Sequence, residues 1–120
     1  MAKIIDYEFK RGDTNVLNKF RIINNGKVVK LTNEQQLYFT LKSNPNSKKV
    51  LVQKTINNGI ELGEDGYYHI TLEPNDTSKL NYGGYVYDIE FKKFNPKVFV
   101  RTLLEGTITL TDEVTWEEDE

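Results

Sequence analysis

Between Tyr85 and Lys92 the chain alternates without a break. Tyr85, Tyr87, Ile89 and Phe91 fall on one side, and Val86, Asp88, Glu90 and Lys92 on the other, which is the period of a half-buried β-strand. A strand this regular is expected at the centre of a sheet. Just upstream, Leu80, Gly83 and Tyr85 have the spacing of a tyrosine corner, in which a Tyr at the start of a strand turns its hydroxyl back to the backbone of the preceding crossover. Residues 75–80 fit that crossover, because Asp76, Thr77 and Ser78 can each cap a single helical turn and Leu80 can point inward to close it. Such a corner implies two sheets packed on one another.

The rest of the chain repeats the pattern in shorter pieces. Ile5, Tyr7 and Phe9 alternate with Asp6, Glu8 and Lys10 in a first strand over 4–10. Arg11 to Asn15 turns the chain; the triplet Arg11, Gly12, Asp13 matches a cell-adhesion tripeptide but reads as ordinary turn chemistry. Phe20 and Ile22 alternate, and Asn24, Asn25 and Gly26 then supply a turn before 27–31. Leu37, Phe39 and Leu41 point inward from 36–42. A more polar strand follows over 50–56, where Lys48, Lys49 and Lys54 read as protection of a sheet edge. Asn57 to Gly59 and Gly63 to Gly66 form turns before Tyr68, Ile70 and Leu72 resume the inward alternation. After the central strand, Asn95 and Pro96 turn the chain into 97–104, and Glu105 and Gly106 lead to a last strand over 107–111. Short strands with turn signals every 8 to 12 residues and no helical period longer than a turn predict an all-β, immunoglobulin-like antiparallel sandwich of about eight strands.

Composition bounds the rest. A chain of 120 residues is expected to be one domain, here over 1–115, burying roughly two-thirds of its unfolded surface in a single core. There are no cysteines, so disulfides and thiolate metal sites are excluded. The start, MAKIIDYEFKRGD, has no apolar stretch of signal-peptide length, and nowhere do 18 apolar residues run together, so neither a leader nor a membrane span is expected. Charge is unevenly placed. All 16 basic residues lie at or before Arg101, so 1–111 carries a net +4, whereas Asp112, Glu113, Glu117, Glu118, Asp119 and Glu120 give the end of the chain −6. A terminal block of like charge over 116–120 is expected to be a solvated tail. The lysines are scattered among turns and outer strand faces, which does not suggest nucleic acid.

Chemistry is hard to find in the residues. His69, the only histidine, falls on the outer face beside Tyr67 and Thr71 with no phased Cys, Asp or Glu partner, so no metal or general base is expected there. Glu61, Glu64 and Asp65 lack the alternating oxygen ligands and terminal bidentate Glu of a calcium loop. No Ser, His and Asp set has supporting spacing, and no Gly-rich loop leads into a helix, so no catalytic residue, cofactor or enzymatic activity is expected. Partner contacts are a better fit. Tyr38, Tyr67, Tyr82 and Phe99 fall on outer faces, and Trp116 stands at the edge of the acidic tail as either a core plug or an anchor for a partner.

Read in order, KRGDT at 10–14, KVVKLT at 27–32, LYFTLK at 37–42, GYYHITLEPNDTSKL at 66–80, GGYVYDIEF at 83–91 and VRTLLEGTITLTDEVT at 100–115 form a series. The series resembles the N-terminal β-sandwich domain of the baseplate upper protein of phages infecting Gram-positive bacteria, and related small phage and prophage structural proteins. The resemblance spans nearly the whole chain and is carried best by Tyr85, Tyr87 and Asp88, and by Thr102, Leu103, Gly106, Thr107 and Ile108 with Asp112, Val114 and Thr115. It implies a non-enzymatic virion component, made in the bacterial cytoplasm, that docks through its sandwich onto other phage structural proteins in many copies. Two departures stand out. Family members in baseplates continue into a long linker and receptor-binding regions whereas this chain ends in acidic residues, which suits a free-standing adaptor; and the turn over 94–97 stands where the family often has Asp-Gly. A carbohydrate-binding or host-surface adhesion module is the alternative, with the exposed aromatics as its sugar-stacking surface.

Overall fold

The computed structural model describes residues 3–32, 34–94 and 97–111. The alternating stretch is strand β10 (Gly83–Lys93), and its place among the other elements is set by what can hydrogen-bond to both of its edges. In chain order the strands are β1 (Lys3–Ile4), β2 (Tyr7–Lys10), β3 (Asn15–Val16), β4 (Ile22–Asn24), β5 (Lys27–Val29), β6 (Gln35–Lys42), β7 (Val52–Ile56), β8 (Gly59–Leu62) and β9 (Tyr68–Leu72). One helical turn, α1 (Pro74–Thr77), precedes β10, and β11 (Phe99–Thr111) follows it. β10 pairs antiparallel with β11 on one edge and with β6 on the other. From there one path runs β1-β11-β10-β6-β7-β8-β9-β3, with β2 also on β11, while β4 and β5 form a separate hairpin.

The fold is all-β, and its main sheet is curled and mixed. Purely antiparallel pairing was expected, but β1 and β2 both run parallel to β11, and β7 runs parallel to β8. For β7 and β8 the reason is a two-residue connection. Residues 57–58 return the chain beside β7 in the same direction, so β8 pairs where only a turn was expected. β7 is therefore an interior strand between β6 and β8, not the sheet edge its polar pattern suggested. Lys54 on β7 is not edge protection either: it is largely covered and makes a 2.8 Å ion pair with Asp76 of α1.

The first strand is likewise two. β1 and β2 are separated at Ile5 and Asp6, where the chain steps along β11. The Asp6 carboxylate accepts from the Thr107 backbone N–H (2.9 Å) and hydroxyl (3.1 Å), while the Tyr87 hydroxyl donates to the Ile5 carbonyl at 2.6 Å. Gly106 makes this approach possible, because a Cβ there would run into the Ile5 carbonyl. Glu105 and Gly106 thus do not end a strand. They lie inside a continuous thirteen-residue β11.

Core residues follow the alternation. Leu37, Phe39 and Leu41 from β6, Tyr85, Tyr87 and Ile89 from β10, and Ile108 and Leu110 from β11 are buried against Ile60, Tyr68, Ile70 and Leu72 from β8 and β9. Phe39 and Tyr87 stack with centroids 5.7 Å apart. The β4–β5 hairpin turns at Asn25 (φ 53°) and Gly26 (φ 78°), the two successive positive φ values of a type I′ turn. It is tied to the main sheet by the Leu31 N–H donating to the Tyr68 hydroxyl at 3.1 Å.

Candidate functional site

The most unusual surface is built where β10 and β11 run past the core. Residues 91–101, FKKFNPKVFVR, contain four basic side chains and no acidic one. Pairing holds out to Lys93 opposite Phe99, and β6 supports the same end through Gln35 opposite Lys93. The Phe94 N–H adds a bond to the Glu34 carbonyl at 2.8 Å. This end is therefore a three-stranded extension, yet little covers it: Val98 is 63%, Val100 48% and Phe99 44% exposed. Large apolar side chains normally leave water on folding, so a run of them left exposed on paired strands is unusual.

Its electrostatics are one-sided. The Arg101 guanidinium sits over the Phe99 ring at 5.4 Å and the Lys92 ammonium over the Phe94 ring at 5.6 Å, cation–π arrangements that hold charge beside the apolar surface. Phe91 meets Phe99 edge-on at 6.3 Å. Between Ile89 and Glu90 the register with β11 shifts, leaving Leu103 as an extra residue on β11; a bulge of this kind bends the strand and re-aims its side chains. On the outer edge of β11, β1 covers only Leu104 and Glu105 at this end. Among the described residues no strand pairs with that edge over 99–103.

A second feature is a groove of about 580 Å³ on the face of β6, β10 and β11 turned away from the core, lined by Asp6, Lys42, Asp88, Glu90 and Glu105 among others. Burial holds the Asp88 carboxyl above the usual carboxylate range, and the neighbouring charge of Glu90 adds to this while Lys42 opposes it. No cluster of three or more His, Cys, Asp or Glu among the described residues could hold a metal ion.

The residues singled out from sequence fall in separate places. The Tyr85 hydroxyl donates to the Asn81 carbonyl at 2.6 Å, Leu80 packs half-buried against the core, and Gly83, with φ at 127°, opens β10 opposite Leu110. Tyr38 is half-buried on the outer face of β6 between Glu90 and Thr55. Tyr67 lies under Lys19 (4.6 Å) and Arg21 (5.1 Å), and Tyr82 under Arg11 at 4.4 Å. Only Phe99 belongs to the hairpin. Trp116 lies outside the described residues, as do Asn95 and Pro96 of the hairpin turn and the acidic tail.

His69 is held by Asp65 at 3.3 Å. The Tyr67 backbone N–H, followed by Lys19, holds that carboxyl far below its usual range. In the Arg11, Gly12, Asp13 triplet, Arg11 Nη1 donates to the Leu80 carbonyl at 3.3 Å and the Gly12 N–H to the buried Thr77 hydroxyl at 2.8 Å, while Asp13 is exposed. Phe94, Val98 and Val100 were not singled out from sequence, because alternation assigns residues to faces without telling where the core stops. The legible signal was the eleven-residue run of basic and apolar residues with no acid.

No helix among the described residues is long and apolar enough to cross a membrane. Compared with known proteins, the chain matches no family model and no curated protein sequence.

Proposed function

We propose that this chain is a non-enzymatic structural protein of a phage or prophage virion, a tail or baseplate adaptor that works through protein–protein contacts. The observation that carries the reading is the β10–β11 extension, which presents Phe94, Val98, Phe99 and Val100 beside a sheet edge that no described strand pairs with. Interface cores are rich in aromatic and Arg side chains and are backed by rigid elements. The motif series along the chain, read as a resemblance to baseplate β-sandwich domains, supplies the assembly. The immunoglobulin-like sandwich belongs to the same reading: β6, β10 and β11 on one side of the core and β8 and β9 on the other share one set of buried side chains, and the Tyr85 bond to Asn81 has the form of a tyrosine corner.

Sugar binding by the exposed aromatics has less support. Tyr67, Tyr82 and Phe99 each carry a cation over one face, and no two of the four candidate aromatics stack on each other. The deciding experiment is quantitative mass spectrometry of purified phage particles from induced cultures of the source strain. A fixed ratio of three or six copies to the tail proteins is expected. Absence from complete particles overturns the reading and turns attention to glycan binding.

A further inference from the structure

Resting on the docking reading of the β10–β11 hairpin, we propose that its occupant is the acidic segment 112–120 of a second copy of this chain. Charge points there first. Lys92, Lys93, Lys97 and Arg101 have no acidic neighbour in 91–101, whereas 112–120 carries six acidic residues around one tryptophan and no basic residue. None of the four cations makes an ion pair with another described residue. Their chemistry calls for an acidic, partly apolar partner, and this chain encodes one.

Geometry then favours an intermolecular contact. β11 runs without interruption from Phe99 to Thr111, which at strand spacing sets the hairpin about 40 Å from the point where the acidic segment begins. Arg101, and Lys92 opposite Val100, lie about 33 to 36 Å back along β11, and nine residues span about 31 Å when fully extended. A chain's own segment therefore reaches these cations only when stretched straight back along a strand whose edges are already taken by β10, β1 and β2, a constraint that a second copy does not meet. Among the described residues no strand pairs with the edge of β11 over 99–103, which suits the mode in which an extended peptide adds a strand to a sheet. Two hairpins facing each other would instead oppose eight positive charges. A contact between the segment of one copy and the hairpin of another closes as a reciprocal two-fold dimer when each copy's segment meets the other's hairpin, and otherwise passes from copy to copy into rings or filaments.

The test is sedimentation and native mass spectrometry of the full chain, with Lys92→Glu/Arg101→Glu and Glu117→Lys/Glu118→Lys as paired charge reversals, and circular dichroism to establish that each variant is folded. The unaltered protein is expected to associate in a concentration-dependent manner that weakens as salt rises from about 50 to 500 mM. Each reversal alone is expected to leave monomers, and mixing the two is expected to restore association, since each then presents the complement of the other. Association lost with the hairpin reversal but untouched by the 117/118 reversal overturns the proposal in favour of hairpin-to-hairpin contact. A monomer at every concentration, or no recovery on mixing, also overturns it, while leaving the particle measurement to judge the virion reading on its own.

Discussion

The Tyr85 hydroxyl and the Asn81 carbonyl are 2.6 Å apart, and this bond ties the first core residue of β10 to the loop that delivers it. The partners are four positions apart, so the loop after α1 is closed locally while the Tyr85 ring is buried in the core. Tyr85→Phe keeps the ring and leaves the Asn81 carbonyl without its donor, so it is expected to cost about 1 to 3 kcal/mol. Chemical denaturation measures this directly; an unchanged midpoint would remove the bond from any role in stability.

Gly106 decides whether β1 can reach β11. A Cβ there meets the Ile5 carbonyl, the same oxygen that accepts the Tyr87 hydroxyl. Gly106→Ala is expected to push the 5–6 step away and destabilise the fold by about 1 to 3 kcal/mol, as overpacking does. Amide hydrogen exchange should speed up at Ile5, whose N–H donates to the Glu105 carbonyl at 3.0 Å. Protection at Ile5 equal to the parent's would contradict the steric account.

Thr77 is fully buried and its hydroxyl accepts the Gly12 N–H, joining α1 to the turn after β2. Thr77→Val keeps the shape and deletes the acceptor, for an expected loss of about 1 to 3 kcal/mol. Thr77→Ser retains the oxygen and should lose less. A Thr77→Val melt unchanged from the parent beside a destabilised Thr77→Ser would mean that the methyl group, and not the hydrogen bond, holds this contact.

Asp88 gives the fold a pH dependence of defined sign. Its carboxyl sits above the unfolded value of 3.8, chiefly through burial, then through Glu90, with Glu105 adding and Lys42 opposing. A group whose folded pKa is raised favours folding while protonated, and that contribution is lost as pH rises through the folded pKa. At neutral pH the ionised Asp88 therefore opposes folding. Asp88→Asn is expected to raise the melting midpoint at pH 7, with the gain shrinking toward pH 3.8 and below. A gain that stayed constant across that range would show that ionisation is not its source.

Val98 and Val100 lie on the exposed end of the hairpin, so replacing both with Ser should change stability by no more than about 0.5 kcal/mol per site. If that end is a docking surface, the same double variant is expected to be depleted from assembled particles. Normal incorporation of a normally folded variant would move the docking surface elsewhere.

What the sequence by itself determined is the local part of the fold. Period-2 alternation in 37–41, 68–72 and 85–91 assigned the core side chains of β6, β9 and β10, because a pleated strand sends successive residues to opposite faces whatever it pairs with. The Asn25–Gly26 turn and the short crossover with Tyr85 were legible for the same reason, since their hydrogen bonds close within a few residues. Tertiary structure decided what depends on distant partners. Parallel pairing of β1 and β2 with β11 needs Gly106 to meet Ile5 across about a hundred residues of chain, and no local pattern encodes that approach. Lys54 looked like an edge lysine until Asp76 arrived beside it. The candidate site obeys the same logic: Phe99 could be placed on a strand face, but only the packed sheet fixes where the core ends, and past that point Phe94, Val98 and Val100 are left in water beside a row of cations.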